Sequence, residues 1–99
     1  MIRGTTPTLE FTLPFELVEI DKLWITFSQN NKEVFTVEKQ DLVLGDKTIS
    51  LKLSQKQTLL LSSNSMVNIQ IRVVDTKGLA MASNIIKTPV QQILKDGEI

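Results

Sequence analysis

The feature that most constrains this chain is an every-other-residue alternation of apolar and polar side chains, repeated segment after segment. Successive side chains of a strand point to opposite faces, so a period of two sends one face into a core and the other into water. Leu9, Phe11, Leu13 and Phe15 alternate with Thr8, Glu10, Thr12 and Pro14. Leu23, Ile25 and Phe27 alternate with Lys22, Trp24, Thr26 and Ser28. The two clearest runs are Ile49, Leu51 and Leu53 between Thr48, Ser50 and Lys52, and Val67, Ile69, Ile71 and Val73 between Asn68, Gln70 and Arg72. A further strand over Glu33 to Lys39 is less regular, because Val34, Phe35 and Val37 do not share one face.

Turn chemistry separates these runs. Asn30-Asn31 tolerates positive φ and predicts a tight hairpin. A short apolar stretch from Asp41 to Leu44 is followed by Gly45-Asp46-Lys47 as a turn. Asp75-Thr76-Lys77-Gly78 predicts a second hairpin, from which the chain returns through Leu79 to Lys87. Ser54 with Gln57 three residues later forms a capping-box pattern, predicting one helical turn over about residues 55–60. The tail from Pro89 to Ile99 admits either a helical turn, on which Val90, Ile93 and Leu94 share a face, or an edge strand after Pro89.

About seven short strands, turn signals between them and no long amphipathic helix predict an all-β sandwich of immunoglobulin-like type. The competing architecture is a small β-barrel. The paired Cys and the Tyr corner of true immunoglobulin domains are missing, and the capped turn between two core strands would make the crossing between sheets instead. A chain of 99 residues makes a single domain spanning residues 1–99.

Composition narrows the chemistry. The chain has no Cys and no His. Disulfides and thiol catalysis are thereby excluded, and the commonest general base and metal ligand are removed. Ser62, Ser63 and Ser65 lie in a polar turn with no nucleophile-elbow wording. Glu16, Glu19 and Asp21 crowd one loop but match no calcium-loop spacing. The four Gly residues are isolated, so no phosphate-cradling loop is present. No catalytic residue, cofactor or metal is expected. Eleven basic and eleven acidic residues leave no net field to draw in nucleic acid or anionic lipid, and neither partner is expected. Charge is nevertheless uneven, with five basic and eight acidic groups in residues 1–50 and six and three in residues 51–99.

Trp24 is the most informative single residue. By alternation it faces away from Leu23, Ile25 and Phe27, which puts the only Trp on an outer surface. Large exposed apolar groups are candidate interface anchors. Val34 and Val74 would enlarge that patch, and the tail residues Val90, Ile93 and Leu94 form a second candidate surface.

The wording of the whole chain also resembles a family. The opening Met1-Ile2-Arg3-Gly4-Thr5-Thr6-Pro7-Thr8, the stretch Phe11-Thr12-Leu13-Pro14-Phe15, the segment Ile25-Thr26-Phe27-Ser28-Gln29-Asn30, the Leu53-Ser54-Gln55 corner, the strand Ile69-Gln70-Ile71-Arg72-Val73 and the ending Ile93-Leu94-Lys95-Asp96-Gly97 are similar to small proteins encoded in phages and prophages of Gram-positive bacteria, among the virion structural genes. The resemblance implies a tail- or baseplate-associated β-sandwich and supplies no catalytic residue. The expectation is a non-enzymatic structural or assembly protein, made in the host cytoplasm and carried in the virion, whose partners are other virion proteins and further copies of itself. The alternative expectation is a ligand-binding module that recognises cell-surface carbohydrate through Trp24.

Overall fold

The structure, a computed structural model, describes residues 1–99. It is an all-β sandwich of two antiparallel sheets. The strands are β1 (Thr8–Thr12), β2 (Ile20–Gln29), β3 (Lys32–Glu38), β4 (Val43–Leu44), β5 (Thr48–Lys52), β6 (Val67–Asp75), β7 (Ala80–Ala82) and β8 (Ile86–Thr88). One sheet has the order β1-β5-β4, and the other β3-β2-β6, with β7 and β8 both on the far edge of β6. The two sheets do not close on one another, so the barrel alternative is set aside.

The order has a direct reading. An immunoglobulin sandwich pairs strands A, B, E and D in one sheet and C, F and G in the other, and the variable type adds C′ beside C. Taking β1 as B gives B-E-D for the smaller sheet and C′-C-F-G for the larger. Strand A has no counterpart beside β1. The first residues instead run parallel to the tail: Ile2 bridges Gln91, the Arg3 amide donates to the Gln91 carbonyl, and the Gln91 amide donates to the Met1 carbonyl.

The core lies between the sheets and is apolar. Phe11, Ile49, Leu51 and Leu53 come from the smaller sheet and its exit, and Leu23, Ile25, Phe27, Val37, Val67, Ile69, Ile71 and Val73 from the larger. These are the inward members of the alternating runs. The Asn30-Asn31 hairpin forms with φ of 54° and 63°, the paired positive values that a two-residue turn matching the strand twist needs. Gly78 has φ 87° in the second hairpin, where Asp75 Oδ1 accepts from the amides of Lys77 and Leu79 at 2.9 Å each.

Three elements differ from the sequence expectation. The first strand stops at Thr12, just before Leu13-Pro14; Pro cannot donate to a ladder, but Leu13 stays buried and Phe15 half-buried in the following loop. The return after Gly78 is split into β7 and β8. At the break the Ser83 amide donates to the Ile71 carbonyl, and the Ile71 amide donates to Ser83 Oγ at 3.0 Å, so the Ser83 side chain stands in for a missing ladder partner. The tail after Val90 is neither a helix nor a strand beyond the single bridge at Gln91.

The crossing from β5 to β6 is a five-residue helix, α1 (Gln55–Leu59), whose capping box is complete. The Gln57 amide donates to Ser54 Oγ at 3.1 Å, and the Ser54 amide donates to Gln57 Oε1 at 2.9 Å. Side chains lock this corner in the place a Tyr corner would occupy. Arg3 donates from Nε to the Leu61 carbonyl at 2.6 Å and from Nη2 to the Leu59 carbonyl at 2.9 Å, a cation at the carbonyl end of the helix. Buried Thr58 donates to the Thr5 carbonyl at 2.8 Å. Buried Gln29 uses both ends of its amide, donating to the Ser62 and Ser65 carbonyls and accepting from the Ser62 amide. Gly4, at φ 73°, lies against Ile93 and Leu59, and a Cβ there would stand 3.1 Å from Ile93 Cδ1.

Candidate functional site

The face of the larger sheet turned away from the core carries the outward members of β2, β3, β6 and β7. Strand register sets its rows. Across the middle run Ala82, Arg72, Trp24 and Glu38. Below them run Ala80, Val74 and Lys22. Above, Gln70, Thr26 and Thr36 form one row, and Asn68, Ser28 and Glu33 the next.

A bulge decides which residues of β3 reach this face. From the hairpin, Gln29 pairs Lys32 and Ser28 pairs Glu33, but Phe27 pairs Phe35, leaving Val34 as an extra residue. Had the register continued unbroken, Val37 would sit opposite Trp24 on the outside, with Thr36 and Glu38 turned inward. The bulge instead buries Val37, stacks Phe35 on Phe27 with ring centroids 4.5 Å apart, and releases Thr36 and Glu38 to the surface. It also accounts for the irregular apolar pattern of Val34, Phe35 and Val37.

Trp24 is 43% exposed at the centre of the face. The Arg72 guanidinium lies 5.7 Å from its ring centroid, within cation–π range, and so helps set the tilt of the indole. Thr26 and Thr36 hydroxyls meet at 3.2 Å, and Thr36 also donates to the Glu33 carboxylate. Gln40 Nε2 donates to Glu38 Oε2 at 3.1 Å. Three shallow depressions, of about 630, 490 and 130 Å³, adjoin one another at Trp24. The first extends round the sheet edge to Leu42 and Leu44, where the lower part of β2 runs past the end of β3. There Lys39 Nζ donates to the Ile20 carbonyl at 2.6 Å.

The residues singled out from sequence divide into three groups. Trp24 lies outward, as expected, and half-buried Val74 stands one row below it and lines the same surface. Val34 is half-buried and packs on the core as the extra residue of the bulge, so it does not join the outer patch. Val90 is 6% exposed and belongs to the core: on either side of it the Pro89 carbonyl accepts from the Met1 amino group and the Gln91 amide donates to the Met1 carbonyl, which draws it inward. Ile93 is half-buried against Gly4, and Leu94 is fully exposed, so the tail residues form no shared face. Sequence reasoning missed Glu38, Thr36 and Gln70 as neighbours of Trp24. No signal in the chain marks the bulge that places the first two.

Elsewhere, the Ser62–Ser65 turn is structural: the Ser62 backbone clamps Gln29, and Ser62 Oγ accepts from the Asn64 amide. Glu16, Glu19 and Asp21 do not converge into a group that could hold a metal ion. No helix is long and apolar enough to cross a membrane. The central face is therefore the best-formed candidate surface. It is a rigid hydrogen-bonded platform carrying one aromatic anchor, a cation and a carboxylate in a row, and hydroxyl and amide groups above them. No protein-family model, curated protein or solved structure matches the chain.

Proposed function

We propose that this protein is a non-enzymatic assembly component of a phage particle, of the tail or baseplate, and that it works by protein–protein contact through the outer face of its larger sheet. The observation that carries the reading is Trp24. A large aromatic left 43% exposed on the central strand of a sheet contributes little to the fold beyond its contact with Arg72. Buried under a partner, it would supply the area and low side-chain entropy cost that anchor residues provide. The virion setting rests on the resemblance of the chain to phage structural proteins.

Complementation tests the reading. A phage lacking the gene is supplied with wild-type protein or with Trp24→Ala, and particles are purified and probed for the protein. The wild type should enter the particle, and the folded Trp24→Ala protein should stay in the soluble fraction. Equal incorporation of both would remove the outer face from the assembly contact.

A second reading, recognition of cell-surface carbohydrate, is favoured by the hydroxyl and amide groups of Thr26, Thr36 and Gln70 beside the indole. It ranks second because one Trp and no Tyr make a thin aromatic platform for a sugar. Binding on a glycan array that disappears in Trp24→Ala would promote it over the first.

A further inference from the structure

We infer that the partner seated on this face is a second copy of the chain, in a two-fold dimer whose axis runs along β2 above Trp24; this rests on the outer-face reading and names its occupant. The row Arg72, Trp24, Glu38 carries the inference. Neighbouring strands lie about 4.8 Å apart, so the cation and the carboxylate flank the indole at equal spacing on opposite sides. When two such faces meet about a two-fold axis lying between them and parallel to the strands, left and right exchange while height along the strand is kept. Trp24 then meets Trp24, and Arg72 of each copy meets Glu38 of the other, making two opposite-charge pairs around an aromatic centre.

The neighbouring rows agree. Gln70 meets Thr36, and Asn68 meets Glu33, so polar groups face polar groups in both rows, with one proton of the Gln70 amide already given to its own Ser83 carbonyl. Lys22, also over the axis, meets its own copy near the lower end of the contact, where its long stem lets the ammonium turn into water. The other in-plane axis, running across the strands, would set Arg72 against Arg72 and Glu38 against Glu38. Charge thus selects one of the two arrangements, as complementary patches do in fixing register. An isologous contact is also closed, so it ends at two copies rather than running on into a fibre.

The face is modest in size. Four strand positions about 4.8 Å apart, crossed with strands up to ten residues long at about 3.3 Å per residue, give a platform roughly 19 by 33 Å. That lies at the small end of specific interfaces and predicts a dissociation constant on the order of micromolar.

Charge reversal tests the dimer. Sedimentation of the wild type over about 1–500 μM should show a monomer–dimer equilibrium, with Trp24 emission shifting to the blue as the dimer forms. Arg72→Glu and Glu38→Arg, each alone, should weaken dimerisation by about tenfold or more, because two like-charge contacts replace two attractive ones. Mixing those two proteins should restore association as a one-to-one heterodimer, since every Glu then faces an Arg. The doubly reversed chain should dimerise by itself, and it decides the matter if either single variant fails to fold. A wild type that stays monomeric throughout the range, or single variants that dimerise as the wild type does, would overturn the inference. Loss of Trp24→Ala from phage particles alongside a monomeric wild type would sink the dimer and leave the outer face as a contact for another virion protein.

Discussion

The two faces of the larger sheet share a backbone and differ in nearly everything else. On β2 the inward side chains Leu23, Ile25 and Phe27 are almost wholly buried, and the outward ones, Lys22, Trp24, Thr26 and Ser28, meet water to differing degrees. The inner face is a continuous apolar layer closed by the smaller sheet. The outer face mixes one aromatic, the two cations Lys22 and Arg72, the two carboxylates Glu33 and Glu38 and several neutral polar groups. One face holds the molecule together, and the other is left free to meet something else. Stability and association should therefore respond to different residues, although those residues alternate along a single strand.

Phe27→Ala strikes the inner face alone. Its ring is fully buried and stacked on Phe35, so truncation should cost about 3–5 kcal/mol, measured by urea denaturation. Deleting Val34 should cost less, about 1–2 kcal/mol in the same measurement, from the lost packing of one half-buried side chain. Without the extra residue the Ser28–Glu33 pair is followed directly by Phe27–Phe35, so Phe35 and Val37 stay inward and Thr36 and Glu38 outward. A loss of about 4 kcal/mol or more would show that the bulge itself is needed for the sidedness of β3. Trp24→Ala, one pleat away in register, should cost no more than about 1 kcal/mol, the order of a partly exposed cation–π contact. It should nevertheless abolish association. A large stability loss on Trp24→Ala would show that the outer face serves the fold as well.

Much of the inner face was legible in the residues. β5 and β6 follow their alternating runs closely, the Asn30-Asn31 turn forms where its φ tolerance predicts, and the Ser54–Gln57 box caps a helix over nearly the expected residues. These features depend on neighbours within a few positions, so local chemistry suffices to specify them. The tail was the least legible part. Val90 is drawn into the core because its neighbours Pro89 and Gln91 bond Met1 at the other end of the chain, a contact between segments that nothing local announces.

The sequence by itself determined that this chain must be an all-β protein, which residues of β2, β5 and β6 share one apolar face, and that its only Trp points away from that face. Period-two alternation settles sidedness wherever one face must leave water. Only the tertiary structure decided what stands beside Trp24. The flanking of the indole by Arg72 and Glu38 depends on the register of three strands distant in sequence and on one inserted residue in β3. That residue is tolerated because packing Phe35 and Val37 into the core outweighs an unbroken ladder. Hydrophobic burial thus selects the bulge, and the bulge places a carboxylate opposite a cation across the aromatic centre of the outer face.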